Sequence, residues 1–417
     1  MLGSGCGLRP APRGIAIYRG AFCFMVEFYI HIIYMPKRIL IFSTDDHLVP
    51  AGGAEQAFGN ITERLPEYEF DLICAKLRKG VAGYEKVKNV HIHRMGFGIP
   101  KIDGFILALF GHYCAYKLMR KNEYGLIWAI MASYGAFAAV RVKKKTGVPL
   151  LLTLQEGDSF EYIYNRVRFV RKAFNNIFAS ADGIQAISKY LLNWGKEMGY
   201  RGTNGKVIPN GVAVDTFTQT FTPEVLEAKR ASFGFEKDAV ILFTSSRLEK
   251  KNGIKDVIDA LSLLPSNVCF VVCGSGSLEP VLIEQIKQLG LQERIKFMGF
   301  VDPKELPLLM KASDIFIRPS LSEGLGNAFL EAMAARMIVI GTNAGGIPDF
   351  LEDGKTGFIV EIEDSESIAS AVRKIQTLDP QAKEHILANA QAMVLEKYNW
   401  EVVTKDMEIM FNTLSKD

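Results

Sequence analysis

The chain has 417 residues, of which 48% are hydrophobic and 23% charged, a globular composition with material for two cores. Its six cysteines (6, 23, 74, 114, 269 and 273) lack metal-site spacing and suit a reducing cytoplasm, and no aromatic-interleaved basic motif points to nucleic acid. The net charge of +3 is uneven: residues 1–215 carry 28 Lys and Arg against 17 Asp and Glu, so that half is expected to meet an anionic partner.

The run Ile15–Tyr34 is apolar but interrupted by Arg19, Glu27 and His31, which makes a spanning helix costly. Residues 1–34 read as a leader outside the fold, with Met35 the expected start of translation and a weak amphipathic anchor the alternative. From there β-rich and helical runs alternate. Strands are expected at 37–43, 69–75, 88–92, 125–130, 149–154 and 182–187, with helices at 52–65, 104–121, 133–146, 159–180 and 188–199. After the turn Lys206-Val-Ile-Pro-Asn-Gly211, strands are expected at 239–244, 268–273, 295–298, 314–318, 337–341 and 358–360. Helices fall at 254–264, 277–289, 303–312, 326–335, 365–377 and from Trp400 to Leu414. Ala239-Val-Ile-Leu-Phe243 is apolar throughout, as a parallel strand covered on both faces should be. Two such series imply two Rossmann-like, doubly wound domains, 35–211 and 212–398, followed by a last segment 399–417. Open α/β sheets bind ligands at the carboxyl ends of their strands, so the site belongs in the cleft between the domains.

Four strand-to-helix transitions carry the chemistry. Gly52-Gly53 feeds a helix N-terminus able to receive an anion, and Glu55 complements that helix dipole. Thr244-Ser-Ser-Arg-Leu-Glu-Lys-Lys-Asn-Gly253 raises basic side chains from a loop, where they can pin a leaving diphosphate. Val272-Cys-Gly-Ser-Gly276 is a second tight turn. Pro319-Ser-Leu-Ser-Glu-Gly-Leu-Gly-Asn-Ala-Phe-Leu-Glu331 sets Glu323 and Glu331 around Gly324 and Gly326 before a helix. The glycines admit a ligand to the backbone, the helix N-terminus suits a phosphate, and the carboxylates can accept hydrogen bonds from sugar and ribose hydroxyls.

Three further stretches are less specific. Gln155, Glu156 and Asp158 close a strand, where a carboxylate can touch an acceptor or sugar, or cap the helix beginning near Ser159. Helix 159–180 mixes Arg166, Arg168, Arg171 and Lys172 with Tyr162, Tyr164, Phe160, Phe169, Phe174 and Phe178. That pattern fits either an anionic lipid interface or a buried aromatic face beneath a solvated basic one. His91 and His93 alternate on one strand face and read as surface residues rather than metal ligands.

The stretch 319–331, continued by Glu331-Ala-Met-Ala-Ala335 and Val339-Ile-Gly-Thr-Asn-Ala-Gly-Gly-Ile-Pro348, resembles the signature of glycosyltransferase family 4, and the resemblance runs from about residue 35 onward. It implies a GT-B fold, with two Rossmann-like domains facing across a cleft and the C-terminal helix crossing back to the first. It also implies a retaining glycosyltransferase that moves a hexosyl unit from a nucleotide diphosphate sugar to a hydroxyl acceptor, whether lipid-linked, glycan or small molecule, in glycan, glycolipid or polysaccharide synthesis. Arg247 and Lys251 would stabilise the departing diphosphate, with Lys250 the alternative, because Asn252 stands where relatives often carry the lysine. Glu323 would orient the sugar, Glu331 would hold the ribose, and Gly326, Asn327 and Ala328 would cradle phosphate and sugar. Gly52, Gly53, Gly274, Gly276, Gly324 and the segment ending at Val301 would complete the donor pocket. Gln155 stands where many relatives carry a His. Arg336-Met-Ile338 replaces a usual Gly-x-Pro, which implies a strained helix end. No cofactor or metal is implied, and the expected location is the cytoplasm, peripheral on the inner face of the plasma membrane. Two rivals remain on sequence grounds: a sugar-nucleotide epimerase of the same architecture, and a non-catalytic nucleotide-sugar binding protein.

Overall fold

The computed structural model describes residues 37–46 and 53–415. The leader, Met35, Gly52 and the side chain of Glu55 lie outside the described residues. The first half runs β1 (Lys37–Phe42), α1 (Gly53–Glu63), β2 (Tyr68–Ala75), β3 (Tyr84–Val87), β4 (Val90–Met95), α2 (Pro100–Met119), β5 (Leu126–Ile130), α3 (Tyr134–Thr146), β6 (Leu150–Leu154), α4 (Phe160–Val167), α5 (Arg171–Ser180), β7 (Gly183–Ala186), α6 (Lys189–Glu197) and β8 (Asn204–Val207). The second runs α7 (Val214–Thr218), α8 (Pro223–Ala231), β9 (Val240–Ser245), α9 (Ile254–Ser262), β10 (Val268–Cys273), α10 (Glu279–Gln288), β11 (Ile295–Gly299), α11 (Leu306–Lys311), β12 (Ile315–Ile317), α12 (Asn327–Ala334), β13 (Ile338–Gly341), β14 (Phe358–Ile359), α13 (Ser365–Gln376), α14 (Pro380–Lys397) and α15 (Trp400–Leu414).

The apolar runs become strands buried on both faces, and they assemble into two sheets. The first has the order β3-β4-β2-β1-β5-β6-β7-β8 and the second β11-β10-β9-β12-β13-β14. All pairs are parallel except β3 with β4. Crossover connections put α2, α3 and α5 side by side on one face of the first sheet, while α1 and α15 share the other. The α15 helix crosses back as expected. Its buried Trp400, Val403, Met407, Met410, Phe411 and Leu414 lie in the same core as Phe58, Tyr68 and Trp128. The chain therefore passes between the sheets twice, and the passages touch: Val212 N–H donates to Tyr398 O at 2.6 Å, and Val212 bridges Asn399.

Several elements differ from the sequence reading. The strand expected at 88–92 is β4, extended to Met95 and paired with a polar edge strand, β3, that has no hydrophobic alternation to reveal it. The turn expected from Lys206 follows another polar edge strand, β8. Helix 159–180 breaks at a 3-10 turn over Arg168–Val170. Phe160 stacks on Tyr190 and Trp194, and Phe174 and Phe178 enter the core, but Phe169 is 86% exposed rather than on the buried face. His91 and His93 are half-buried and tied to Glu69 and Asp71 at 2.6 and 2.9 Å, not free on the surface. Cys269 and Cys273 are buried free thiols, as their apolar run predicts.

Candidate active site

The second sheet reverses its winding between β9 and β12, and the loops after these two strands open at that switch point. After β9, Arg247 and Lys250 are exposed, while Lys251 reaches across the cleft. Its Nζ donates to Gly157 O at 3.0 Å and pairs with Asp158 Oδ1 at 2.9 Å. Buried Asn252 does not face the cleft as a cation would. Its Nδ2 donates to Arg247 O at 2.6 Å, fixing the loop that presents Arg247 and Lys251. Gly274 and Gly276 back this loop so closely that a Cβ would lie 1.9 Å from Ser246 O and 2.4 Å from Leu248 O.

After β12, Arg318 is buried beside both glutamates of the signature. Its Nη2 donates to Glu323 Oε2 at 2.7 Å, and its guanidinium lies 4.7 Å from the centre of the Phe329 ring. Glu323 Oε1 accepts the Gly324 N–H at 3.2 Å, so its carboxylate is fixed at the loop tip. Burial pushes the Glu331 carboxyl up to about 7, against the opposing pull of Arg318. Gly326, at φ 100°, caps α12 without a side chain; a Cβ there would strain the backbone and strike Phe329. Asn327 and Ala328 open the helix, where N–H groups lack intrahelical partners.

The first domain meets this loop from the other side. A Cβ at Gly53, the start of α1, would lie 3.3 Å from Asn327 Nδ2 and 3.6 Å from Asn210 Nδ2, so two helix N-termini converge from opposite domains. Asn210 Nδ2 donates to Gln155 Oε1 at 3.3 Å. Gly324 approaches Glu156 O to within 2.5 Å of where its Cβ would be, a spacing only glycine allows. Glu156 is buried, with Oε1 accepting the Ala132 N–H at 3.0 Å and Oε2 without a hydrogen-bond partner; burial pushes its carboxyl up to about 7, with Ala132 N–H pulling it down and Asp158 adding to the rise. Asp158 is exposed and holds Lys251. Val301 is half-buried just after β11, farther along the second sheet.

Among the described residues no group of three or more His, Cys, Asp or Glu is arranged to hold a metal ion. Arg336 has φ 62°, the left-handed helix end that its sequence position implied.

Residues 51–216 match the family described as Glycosyltransferase Family 4, and residues 226–393 match Glycosyl transferases group 1. The chain belongs to glycosyltransferase family 4. An uncharacterized glycosyltransferase of Methanocaldococcus jannaschii is 32% identical over 203 residues, 48% of this chain and 52% of that protein. The chain spans about half the length of the first curated relatives it matches. Among solved structures, sucrose-phosphate synthase from Thermosynechococcus elongatus aligns with a TM-score of 0.78 at 19% identity, covering 91% of this chain and 99% of that one. HepE from Anabaena, in complex with UDP and glucose, aligns with a TM-score of 0.73 at 21% identity, covering 90% and 100%. These likenesses show the fold, which is GT-B.

Placed on this family 4 chain, the sequence-selected residues fall into one cleft: Lys251, Glu323, Gly324, Gly326, Asn327, Ala328 and Glu331 from the second domain, Gly53, Gln155, Glu156 and Asp158 from the first. The roles of three neighbours escaped sequence reading. Arg318 had a signal, a charge ending the apolar run Ile315–Ile317. Asn210, in a Pro-Asn-Gly turn, had none that separates a cleft residue from a turn former, and Asn252 showed only as a replaced lysine, not as the residue that fixes the loop.

Proposed function

We propose that this chain transfers a hexosyl unit from a nucleotide diphosphate sugar to a hydroxyl acceptor, retaining the anomeric configuration. The observation that carries the proposal is the convergence of two helix N-termini, at Gly53 and Asn327, beside the Arg318-braced carboxylate Glu323 and the cleft-spanning Lys251. Helix N-termini receive phosphate, and a diphosphate spanning the cleft would meet both. UDP and glucose bound to the structural neighbour HepE support the same substrate class.

In the proposed reaction the acceptor hydroxyl attacks the anomeric carbon on the face from which the diphosphate leaves. The bond from that carbon to the diphosphate oxygen breaks, and the departing diphosphate takes the hydroxyl proton. No side chain then has to act as general base. Arg247 and Lys251 meet the charge that grows on the leaving group, Glu323 orients the sugar, and Glu331 accepts from the ribose hydroxyls. Lys251 must exchange Asp158 for phosphate when donor binds. Gln155, Glu156 and Asp158 line the acceptor side. Charge neutralisation rests on these cations, so turnover is expected to survive treatment with a chelator. The four described cysteines are unpaired, which supports a cytoplasmic location, and the basic first half supports an acceptor held at an anionic membrane. No helix among the described residues is long and apolar enough to cross a membrane.

Incubation with a panel of nucleotide sugars and cell-extract acceptors, reading nucleotide release and product mass, tests the proposal. Acceptor-dependent release is the expected outcome. An isomerised donor would identify an epimerase, and donor binding with no turnover on any acceptor would identify a sensor.

A further inference from the structure

The α2 helix is apolar on both sides, and among the described residues only one side is covered. Toward the protein it presents Asp103, Gly104, Leu107, Ala108, Gly111 and Ala115, all buried or nearly so. Toward solvent it presents Ile102, Phe105, Leu109, Phe110 and Tyr113, between 49% and 62% exposed, a run of large side chains at helical spacing. The preceding loop adds Phe97, 72% exposed, and Ile99. Folded monomers rarely display so many neighbouring large apolar side chains without a partner.

The helix cannot roll to hide them. A Cβ on Gly104 would lie 2.9 Å from the Tyr134 ring, and one on Gly111 would lie 3.0 Å from Ala138 Cβ, so the small-residue face is locked onto α3. Asp103 locks the entering loop, accepting N–H groups from Phe97, Gly98 and Ile99 at 2.8, 2.7 and 2.9 Å.

Charge selects the occupant. The neighbouring α3 has no acidic residue and carries Arg141, Lys144 and Lys145, besides Lys143, which pairs with Asp182 at 2.6 Å; next to it α5 also has no acidic residue. The one acid on α2, Asp103, is buried. Arg141 donates to Ala108 O of α2, and Lys145 Nζ lies 4.6 Å from the centre of the Tyr116 ring, so the cations flank the apolar stripe. A second copy of this chain would set the same basic border against it, whereas an anionic bilayer offers acyl chains to the stripe and headgroups to the lysines. The stripe also starts at the cleft: it follows the carboxyl end of β4, and Phe105 makes an edge contact with Tyr134, next to the Ser133 that is hydrogen-bonded to Thr44.

We infer that the exposed face of α2, flanked by the basic residues of α3, is the surface by which this protein docks on an anionic phospholipid bilayer, with the cleft mouth at the membrane. The inference rests on the proposed membrane-held acceptor for its purpose, but its test uses neither donor nor acceptor. Full-length protein is cosedimented with vesicles of phosphatidylcholine, with and without phosphatidylglycerol, at low and at physiological salt. Binding is expected only to the anionic vesicles. The triple substitution Phe105→Ser, Leu109→Ser and Phe110→Ser should lower it at least tenfold at either salt, while nucleotide affinity and circular dichroism stay unchanged. Arg141→Gln with Lys144→Gln and Lys145→Gln should cost most binding at low salt, because at physiological salt screening over about 8 Å has already weakened what those cations contribute. Vesicle binding that is absent at low salt, or unaffected by the triple substitution, overturns the inference. So does a concentration-dependent dimer that the triple substitution dissolves, which would make the stripe a contact between copies. Loss of turnover on every donor with vesicle binding intact would instead refute the proposed function and leave the docking surface standing.

Discussion

Burial strips the Glu331 carboxyl of water, and Arg318 is the one charge pulling it back toward ionisation. In the proposed pocket a ribose hydroxyl donates to the ionised form, so below about pH 7 nucleotide binding is expected to be coupled to loss of a proton. Nucleotide affinity is therefore expected to rise with pH until about 7 and then level off. In Glu331→Gln the slope should flatten, whereas Glu156→Gln, whose carboxyl is pushed up to a similar value, should keep it. Glu331→Ala should weaken nucleotide binding by about 1.5–3 kcal/mol, the worth of a charge-assisted hydrogen bond, and calorimetry checks both the loss and the slope. Unchanged affinity would remove the ribose assignment. The cations act on a different quantity. Arg247→Ala and Lys251→Ala should each lower kcat roughly tenfold or more, because the charge they meet grows during bond cleavage, and steady-state kinetics at saturating donor reads that directly. Lys250→Ala should be near neutral, since Lys250 stays exposed while Lys251 alone of the pair reaches the opposite domain. Exchanged phenotypes would shift the clamp by one residue.

Among the elements, α12 shows what a single departure from the family pattern costs. Arg336 closes it at φ 62°, a conformation that a side chain makes unfavourable by about 1 kcal/mol. Its ion pair with Glu384 is solvent-exposed and returns only a few tenths. Arg336→Gly is thus expected to raise the thermal midpoint with donor affinity unchanged; a lower midpoint would show that the Glu384 contact outweighs the strain. This strain was legible only through the family resemblance, because Arg336-Met-Ile338 stands where relatives usually carry Gly-x-Pro. Burial explains which elements were legible. β9 and β10, buried on both faces, announce themselves as continuous apolar runs, and α15 was placed from Trp400 to Leu414 with both ends correct. The edge strands β3 and β8 were not, because the edge of a sheet tolerates polar residues and pairing partners are set by tertiary position. Glu323 and Glu331 were found because glycines, carboxylates and a helix start recur at fixed offsets. Arg318 was harder, since its role depends on where two glutamates fold back, and that is a property of the loop rather than of the strand that carries it.

At the scale of the molecule, α15 is where the second half stabilises the first. Six of its side chains are buried among first-domain residues, and at about 1.5–3 kcal/mol each they contribute on the order of 10 kcal/mol, as much as a whole domain's net stability. Protein ending at residue 399 is expected to lose the cooperative unfolding transition of the first domain; a truncated protein that melts normally would show that α15 only rests on that surface. The touching passages at Val212 and Asn399 have a separate consequence. Two chain passages tied side by side at a single bridge are expected to act as a hinge, favouring rotation of the halves about that point. Opposite partners must part along that arc, among them Lys251 from Asp158 and the Lys189 N–H from Asp349. In the proposed cycle spent nucleotide would leave through this swing, and the swing is expected to limit turnover. Turnover should then slow in proportion to solvent viscosity, while a single chemical turnover of prebound donor should not.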